Sequence, residues 1–245
     1  MLENLDFNTI LVVNVIIGMA SFVASLTGFG YALVATPFLV LLFPPQKIVP
    51  VVLTSWVPLA ILLTWEVRRV ASIPKVGRWL LGGIAGLPLG AYLLAHMDEV
   101  TMRTSIGGLT LLAALIMWLR PKRPFSRETW PAIGAGFASG IMGGASAMSG
   151  PPIVLFGLNQ EWDKASFRAN IIVYITVLHT LTLILFRNFG ILDTATWVLG
   201  ICALPGLLVG YIGGMRLKDR LVQEHFRKLA FALVVLGGVL ALILK

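Results

Sequence analysis

Apolar stretches recur along the whole chain, with short polar connectors between them. Six stretches contain no Lys, Arg, Asp or Glu and approach or exceed the roughly 18 to 20 residues needed to cross a bilayer core. They are 49–65, 79–95, 104–119, 169–186, 194–215 and 229–244. The connectors are too short to form a soluble domain. This pattern predicts one all-α polytopic membrane protein.

Two further apolar stretches, 8–43 and 131–158, are interrupted by Gly, Ser, Thr or Pro where a membrane helix should be most regular. Backbone that is not helical is tolerated in hydrocarbon only where it is buried in protein or lines a watery cavity. Matching interruptions in two halves of a chain point to a transporter's binding site. The matching motifs are Gly18-Met-Ala-Ser21 with Gly28-Phe-Gly30, and Gly136-Phe-Ala-Ser139 with Ser149-Gly-Pro-Pro152, at spacings of 118 and 120 residues.

Composition supports the membrane assignment and narrows the chemistry. Apolar residues make up 58% of the 245 and charged residues 12%, against about 25% charged in soluble domains. The net charge is +8, but the basic residues lie beside apolar spans, so membrane topology explains them and we expect no nucleic acid partner. Cys202 is the only cysteine, and no HExxH motif or ATP-binding loop is present. We therefore expect no metal site and no cofactor.

The distribution of charge predicts the topology. Three connectors hold most of the Lys and Arg, whereas the N-terminal tail has neither, so the connectors are expected in the cytoplasm and both chain termini in the periplasm. Two spans separate the first cluster from the second, which keeps both on one side. The second and third clusters are separated by two spans and the interrupted stretch 131–158, so that stretch must cross the membrane an even number of times, and the same reasoning applies to 8–43. The clusters are Arg68, Arg69, Lys75 and Arg78; Arg120, Lys122, Arg123 and Arg127; and Arg216, Lys218, Arg220, Arg227 and Lys228.

We therefore predict two inverted repeats, residues 1–120 and 130–245, joined by a cytoplasmic basic linker at 121–129. Each repeat is a broken or re-entrant helical hairpin followed by three transmembrane helices, which gives eight full spans plus two hairpins, or up to ten segments. The arm 31–43 would rise only about 20 Å as a helix, against a core of about 30 Å. Gly86-Leu-Pro-Leu-Gly90 matches Gly206-Leu-Leu-Val-Gly210 at a spacing of 120 and should allow close helix packing.

The hairpin tips have the chemistry of an anion site. A helix N-terminus presents unpaired N–H groups and about half a positive charge, and glycine lets the backbone approach a ligand closely. The predicted substrate-binding residues at the tips are Thr27, Gly28, Gly30, Ser146, Ser149, Gly150 and Pro151. Pro151 suits a helix start and Ser149 suits a cap or a direct donor. The alternative is that these breaks only shape the fold and bind no ligand.

Residues beyond the tips are also candidates. Arg168 and Asn170 open the next helix, and an arginine fork suits sulfonate or carboxylate oxygens; the alternative for Arg168 is an anchor at a helix end. His179 is an ionisable residue inside an unbroken span and is a candidate for proton coupling, or else is satisfied by a neighbouring helix. Thr54, Ser55 and Trp56 form a polar notch before Pro58, and a kink there could turn a hydroxyl or the indole N–H toward the cavity. The alternative is that Thr54 and Ser55 only bond their own helix.

The two-half layout, Gly28-Phe-Gly30 with Pro37 downstream, and Gly144-Ala-Ser-Ala-Met-Ser-Gly-Pro-Pro152 resemble the TauE/SafE family of anion permeases, also called 4-toluene sulfonate uptake permeases. The resemblance extends from about residue 10 to 244. It implies transport of sulfite, organosulfonates or similar anions across the bacterial inner membrane. Relatives often carry Gly-x-Gly-Gly-Gly where this chain has Gly28-Phe-Gly-Tyr-Ala32, so Phe29 and Tyr31 should narrow the site or stack on a ligand.

We therefore expect a secondary transporter of small sulfur-containing or organic anions, whose partners are its anionic substrate and the lipid bilayer, with homo-oligomerisation left open. A passive anion channel and a membrane scaffold or assembly factor are the alternatives. An enzyme is disfavoured because no Asp or Glu lies within a clean span and no nucleophile, base or metal set is clustered there.

Overall fold

The computed structural model describes residues 6–119, 127–160, 162–217 and 223–243. Most of the predicted linker 121–129 lies outside these residues. So do several charges of the second and third basic clusters, namely Arg120, Lys122, Arg123, Lys218 and Arg220.

All regular structure within the described residues is helical. Eleven helices follow one another: α1 Phe7–Thr27, α2 Tyr31–Leu39, α3 Pro45–Val67, α4 Ile73–His96, α5 Glu99–Leu119, α6 Thr129–Ser146, α7 Gly150–Asn159, α8 Lys164–Asn188, α9 Thr194–Cys202, α10 Leu204–Leu217 and α11 Gln223–Ile243. The predicted spans 49–65, 79–95, 104–119 and 169–186 lie within α3, α4, α5 and α8 respectively.

Four described helices are long and apolar enough to cross a membrane: α1, α3, α4 and α8. The bent pair α9 and α10 makes a fifth if it forms one span. The predicted span 194–215 is thus divided into two helices that meet at 44°. Pro205 explains the bend: it has no N–H to bond the carbonyl one turn earlier, and its ring crowds that carbonyl.

The two interrupted stretches are hairpins with unequal arms. The first arms are long, 21 residues in α1 and 18 in α6, while the second arms α2 and α7 have 9 and 10 residues. Helix α2 therefore rises only about 14 Å, too little to cross a core of about 30 Å, as its sequence predicts. Helix α1 alone has the length of a full span, so only the second arm of the first hairpin is short.

Helix boundaries place the two hairpins in a register of 119 residues, which corrects the spacings of 118 and 120 read from the motifs. Helix α1 ends at Thr27 and α6 at Ser146. The next residues, Gly28 and Ala147, both adopt left-handed backbone, with φ of 84° and 61°. Left-handed backbone ends a helix readily at glycine and costs an L-residue about 1–2 kcal/mol. In this register Gly30 corresponds to Ser149, not to Gly150.

Each long hairpin arm packs closely on a helix of the other half. Helix α4 packs on α6, and α10 packs on α1. Three glycines of α4 and three of α10 form these contacts. A Cβ atom added to any of them would lie 3.0 Å or less from a backbone atom of the facing helix, so only glycine permits the close approach. Gly82, Gly86 and Gly90 face Ile133, Phe137 and Ile141, while Gly206, Gly210 and Gly214 face Asn14, Gly18 and Phe22. Glycines in equivalent contacts are thus 124 residues apart rather than 120.

Contacts between connectors define two ends of the molecule. At one end Trp162 donates to Glu128 across 3.4 Å, and Lys75 lies 3.8 Å from the Trp162 ring centroid. Because Glu128 precedes α6 and Trp162 follows α7, this hairpin starts and finishes at the same end, in agreement with the expected even number of crossings. At the other end Gln46 donates to the Met97 carbonyl across 2.9 Å. Which end faces the cytoplasm stays a prediction.

We predict that Gly86→Ala lowers the thermal unfolding temperature of the detergent-solubilised protein, because its Cβ atom would collide with the Phe137 carbonyl of α6. Gly77→Ala is the matched control in the same helix, since nothing lies within 4 Å of a Cβ atom at that position. Alanine is the better helix former by about 1 kcal/mol, so the control should be neutral or stabilising. Equal unfolding temperatures for the two variants would contradict this packing.

Candidate functional site

The tips of the two hairpins meet inside the molecule. The Thr36 hydroxyl of α2 donates to the Ser146 carbonyl of α6 across 3.1 Å. The Phe29 ring of the first tip lies beside Gly150 of the second, where an added Cβ atom would be 3.4 Å from Phe29 Cδ2. Between the tips lies a cavity of about 20 Å³. It is lined by Phe29, Gly30, Tyr31, Ala32, Leu33, Trp56, Ala147, Met148, Ser149, Gly150, Ile175 and His179.

The cavity lies level with the middle of two candidate spans. Trp56 is halfway along α3, which runs from Pro45 to Val67, and Ile175 is close to halfway along α8, which runs from Lys164 to Asn188. A helix of this length matches the thickness of the hydrocarbon core. The meeting point of the tips is therefore far from both ends of the bundle.

A buried hydrogen-bond chain fixes the second tip. Ser149 Oγ and His179 Nε2 are 2.9 Å apart. The Ser149 carbonyl accepts from the Ser139 hydroxyl, which itself accepts from the Tyr174 hydroxyl across 2.8 Å. These four side chains are all at least 95% buried. These hydrogen bonds connect α6, the tip and α8, so that Ser149 has a defined position at the cavity.

The N-termini of the short arms differ in the donors that they present. In α2 the first helical bond of the turn is from Val34 N–H to the Gly30 carbonyl, so the N–H groups of Tyr31, Ala32 and Leu33 have no partner within the helix. In α7 the second and third residues are prolines, which have no N–H. The first tip therefore offers more backbone donors to an anion than the second.

Trp56 contributes an unused donor. Its side chain lines the cavity and is 1% exposed, yet its indole Nε1 has no hydrogen-bond partner. The ring lies 5.3 Å from the Tyr31 ring and 6.1 Å from the His179 ring, measured between centroids. A buried N–H without a partner is costly and marks a place that a ligand or water can fill. Of the notch residues Thr54, Ser55 and Trp56, the structure places Trp56 in the cavity lining, with its indole N–H unpartnered.

In this conformation the cavity is small. Its volume of about 20 Å³ is enough for a single water, which needs about 10–15 Å³. A sulfite or sulfonate has at least four heavy atoms and needs a wider cavity. Because the Phe29 ring rests on Gly150, moving this ring or parting the two tips would widen the cavity.

Five of the predicted site residues line the cavity: Phe29, Gly30, Ser149, Gly150 and His179. Other predicted tip residues shape the break in the helix but do not line the cavity. The Thr27 hydroxyl bonds the carbonyls of Val23 and Phe29 and accepts from Phe29 N–H. Gly28 supplies the left-handed turn, the Ser146 hydroxyl bonds the Met142 carbonyl, and Pro151 lies in the first turn of α7.

The structure places Arg168 away from the cavity lining. Its guanidinium donates to both carboxylate oxygens of Glu66, each across 3.1 Å, and to the Ser25 carbonyl across 3.0 Å. It therefore ties α8 to α3 and to the end of α1, close to the first tip. Asn170 is also elsewhere, since its side-chain oxygen accepts from the Ser72 N–H at the start of α4 across 2.6 Å.

A second ion pair links α3 to the other half at its opposite end. Lys47 Nζ lies 2.7 Å from Asp193 Oδ2, and Asp193 also caps α9 by accepting from Thr196 N–H. The hydrogen bond from Lys47 lowers the pKa of Asp193 to about 2, helped by the bond from Thr196. The carboxylate therefore stays charged at neutral pH, and this pair is lost only as the pH falls toward that value.

The sequence reasoning did not find Met148 and Ile175 in the lining, nor the partners of Arg168. Met148 and Ile175 are apolar residues within apolar stretches, and nothing in the sequence distinguishes them from residues that only pack helices. Glu66 was separated from Arg168 by 102 residues, and only the fold brings them together.

A family model described as sulfite exporter TauE/SafE matches residues 13–241, nearly the whole chain. The chain belongs to the TauE/SafE family. Neither the curated proteins nor the solved structures contain a match. Membership of this family, together with the apolar helices, identifies a multi-pass membrane protein of a transporter family.

We predict that Gly150 tolerates alanine but not leucine. An alanine Cβ atom would make ordinary contact with Phe29 at 3.4 Å, whereas the longer leucine side chain must displace the ring or fill the cavity. Gly150→Leu should therefore abolish anion flux in reconstituted vesicles while Gly150→Ala retains it. Size-exclusion profiles check that both variants fold. Normal flux through a well-folded Gly150→Leu variant would contradict the assignment of this cavity as the anion site.

Proposed function

We propose that this TauE/SafE protein is a secondary transporter that carries small sulfur-containing or organic anions, such as sulfite or organosulfonates, through the cavity between its two hairpin tips. The observation that carries the proposal is the meeting of two helix breaks at mid-span, where unpaired backbone N–H groups and the Ser149 hydroxyl converge. Such ends stabilise negative charge without a fixed cation.

The proposal includes the two inverted repeats, 1–120 and 130–245. Helices α1 to α5 and α6 to α11 follow the same order of long arm, short arm and further spans. Alternating access in such proteins is largely the rocking of one repeat against the other around a fixed site. The ion pairs Glu66–Arg168 and Lys47–Asp193 join the two halves at opposite ends of α3. We take this conformation, with both pairs formed and a cavity too small for the anion, as one state of that cycle.

Location in the bacterial inner membrane, with both termini in the periplasm, belongs to the same proposal. It rests on the positive connectors and on the family. The contacts of Trp162 with Glu128 and Lys75 gather connectors of the first two basic clusters at one end of the molecule, which the charge rule assigns to the cytoplasm.

The direct test is flux through purified protein in lipid vesicles. We expect labelled sulfite or methanesulfonate to exchange across the membrane, and the rate to rise when unlabelled anion is present on the opposite side, as a carrier requires. A passive channel would instead dissipate a gradient without this acceleration. Vesicles that moved none of these anions, with protein correctly inserted, would reject the proposal and favour a scaffold role.

His179 is the proposed site of proton coupling, because it is buried at the cavity and bonded to Ser149. We predict that His179→Gln retains anion exchange, since an amide can still bond the Ser149 hydroxyl, but loses any stimulation by a proton gradient. The measurement compares exchange with and without an imposed pH difference. If the variant responded to the gradient as the wild type does, protons would couple elsewhere or not at all.

A further inference from the structure

The lining of the cavity has a distinctive electrostatic character. None of its twelve described residues is Lys, Arg, Asp or Glu. Arg168, which lies against Gly28 of the first tip, is already paired with Glu66 through two hydrogen bonds and has a third bond to the Ser25 carbonyl. While His179 carries no extra proton, an anion in the cavity therefore meets dipoles and N–H or O–H donors rather than a positive side chain.

We infer that the cavity selects a singly charged oxyanion over a doubly charged one of the same shape, and that the Trp56 indole N–H is one of its donors. This inference rests on the proposed transport function and deepens it by naming the charge of the substrate and a binding residue.

The charge selection follows from desolvation. The Born cost of moving an ion out of water rises with the square of its charge, so a dianion costs about four times as much as a monoanion of equal radius. Attraction to helix ends and neutral donors rises only in proportion to the charge. A site without a cationic side chain can therefore compensate one negative charge more readily than two.

The assignment of Trp56 follows from its unpartnered donor. Nε1 is buried without a hydrogen bond, although the residue lines the cavity and is 1% exposed. Other hydroxyls nearby are already engaged: Tyr31 donates to Ser55 across 2.8 Å, and Ser149 shares its bond with His179. An oxyanion accepting from Trp56 would satisfy that N–H without breaking a bond that the protein already makes.

The chain offers a matched control for Trp56. Trp79 is equally buried, at 0% exposed, and its Nε1 also lacks a partner. It does not line the cavity but packs among aromatic rings, with centroids 5.4 Å from Trp162 and 5.7 Å from Tyr174. Replacing either tryptophan with phenylalanine removes an indole N–H and some volume from the interior, yet only one replacement alters the cavity.

The test uses methanesulfonate and sulfate, two tetrahedral anions of similar size in which a methyl group replaces one charged oxygen. Ligand-induced thermal shifts at neutral pH are measured for wild type, Trp56→Phe and Trp79→Phe, each against its own ligand-free baseline. We expect methanesulfonate to stabilise wild type and Trp79→Phe, and to bind Trp56→Phe about tenfold more weakly, because a hydrogen bond to a charged group is lost. Sulfate should give little shift with any of them.

Two results would overturn the inference while leaving transport intact. One is sulfate binding or exchanging as well as methanesulfonate in the wild type, a comparison that needs no variant. The other is Trp56→Phe binding methanesulfonate as tightly as Trp79→Phe does. If wild type neither bound nor exchanged any sulfonate or sulfite, the proposed function itself would fail, and the two failures are thus distinguishable.

Discussion

Unpaired backbone groups in a nonpolar interior are the constraint on which this structure depends. Each break in a helix leaves N–H and carbonyl groups that hydrocarbon cannot satisfy, so the break must be covered by protein. The molecule meets this need by facing the two breaks toward each other. Thr27 closes the end of α1 with its own hydroxyl, and Arg168 bonds the Ser25 carbonyl two residues earlier. What stays open is the row of N–H groups at the start of α2.

Close packing of the long arms makes this arrangement possible. The glycines of α4 and α10 bring the backbones of α6 and α1 near, and in both cases the partner belongs to the other half of the chain. The halves are therefore interlocked rather than laid side by side. This packing holds the tips at a common depth, because α4 fixes α6 along its length and α10 fixes α1.

Much of this could be predicted from the sequence, because local chemistry determines it. Gly28 and Gly30 adopt the positive φ values that only glycine adopts freely, and Ser149 with the prolines marks a helix start, so the tips were found from residue type alone. The role of Arg168 could not be predicted in this way. Whether an arginine binds substrate or an acidic side chain depends on which helix lies beside it, and Glu66 is brought there only by the packing of α3 on α8. The register of 119 was missed for a related reason: Ala147 ends α6 in a left-handed conformation without being glycine.

The central claim, that the anion binds where the two tips meet, is tested most directly by an experimental structure of the protein in lipid with saturating methanesulfonate. The account predicts density for a tetrahedral anion between Gly30 and Ser149, within hydrogen-bonding distance of the N–H groups of α2, with the Glu66–Arg168 pair still formed. An anion held instead by Arg168, released from Glu66 and away from the tips, would contradict it.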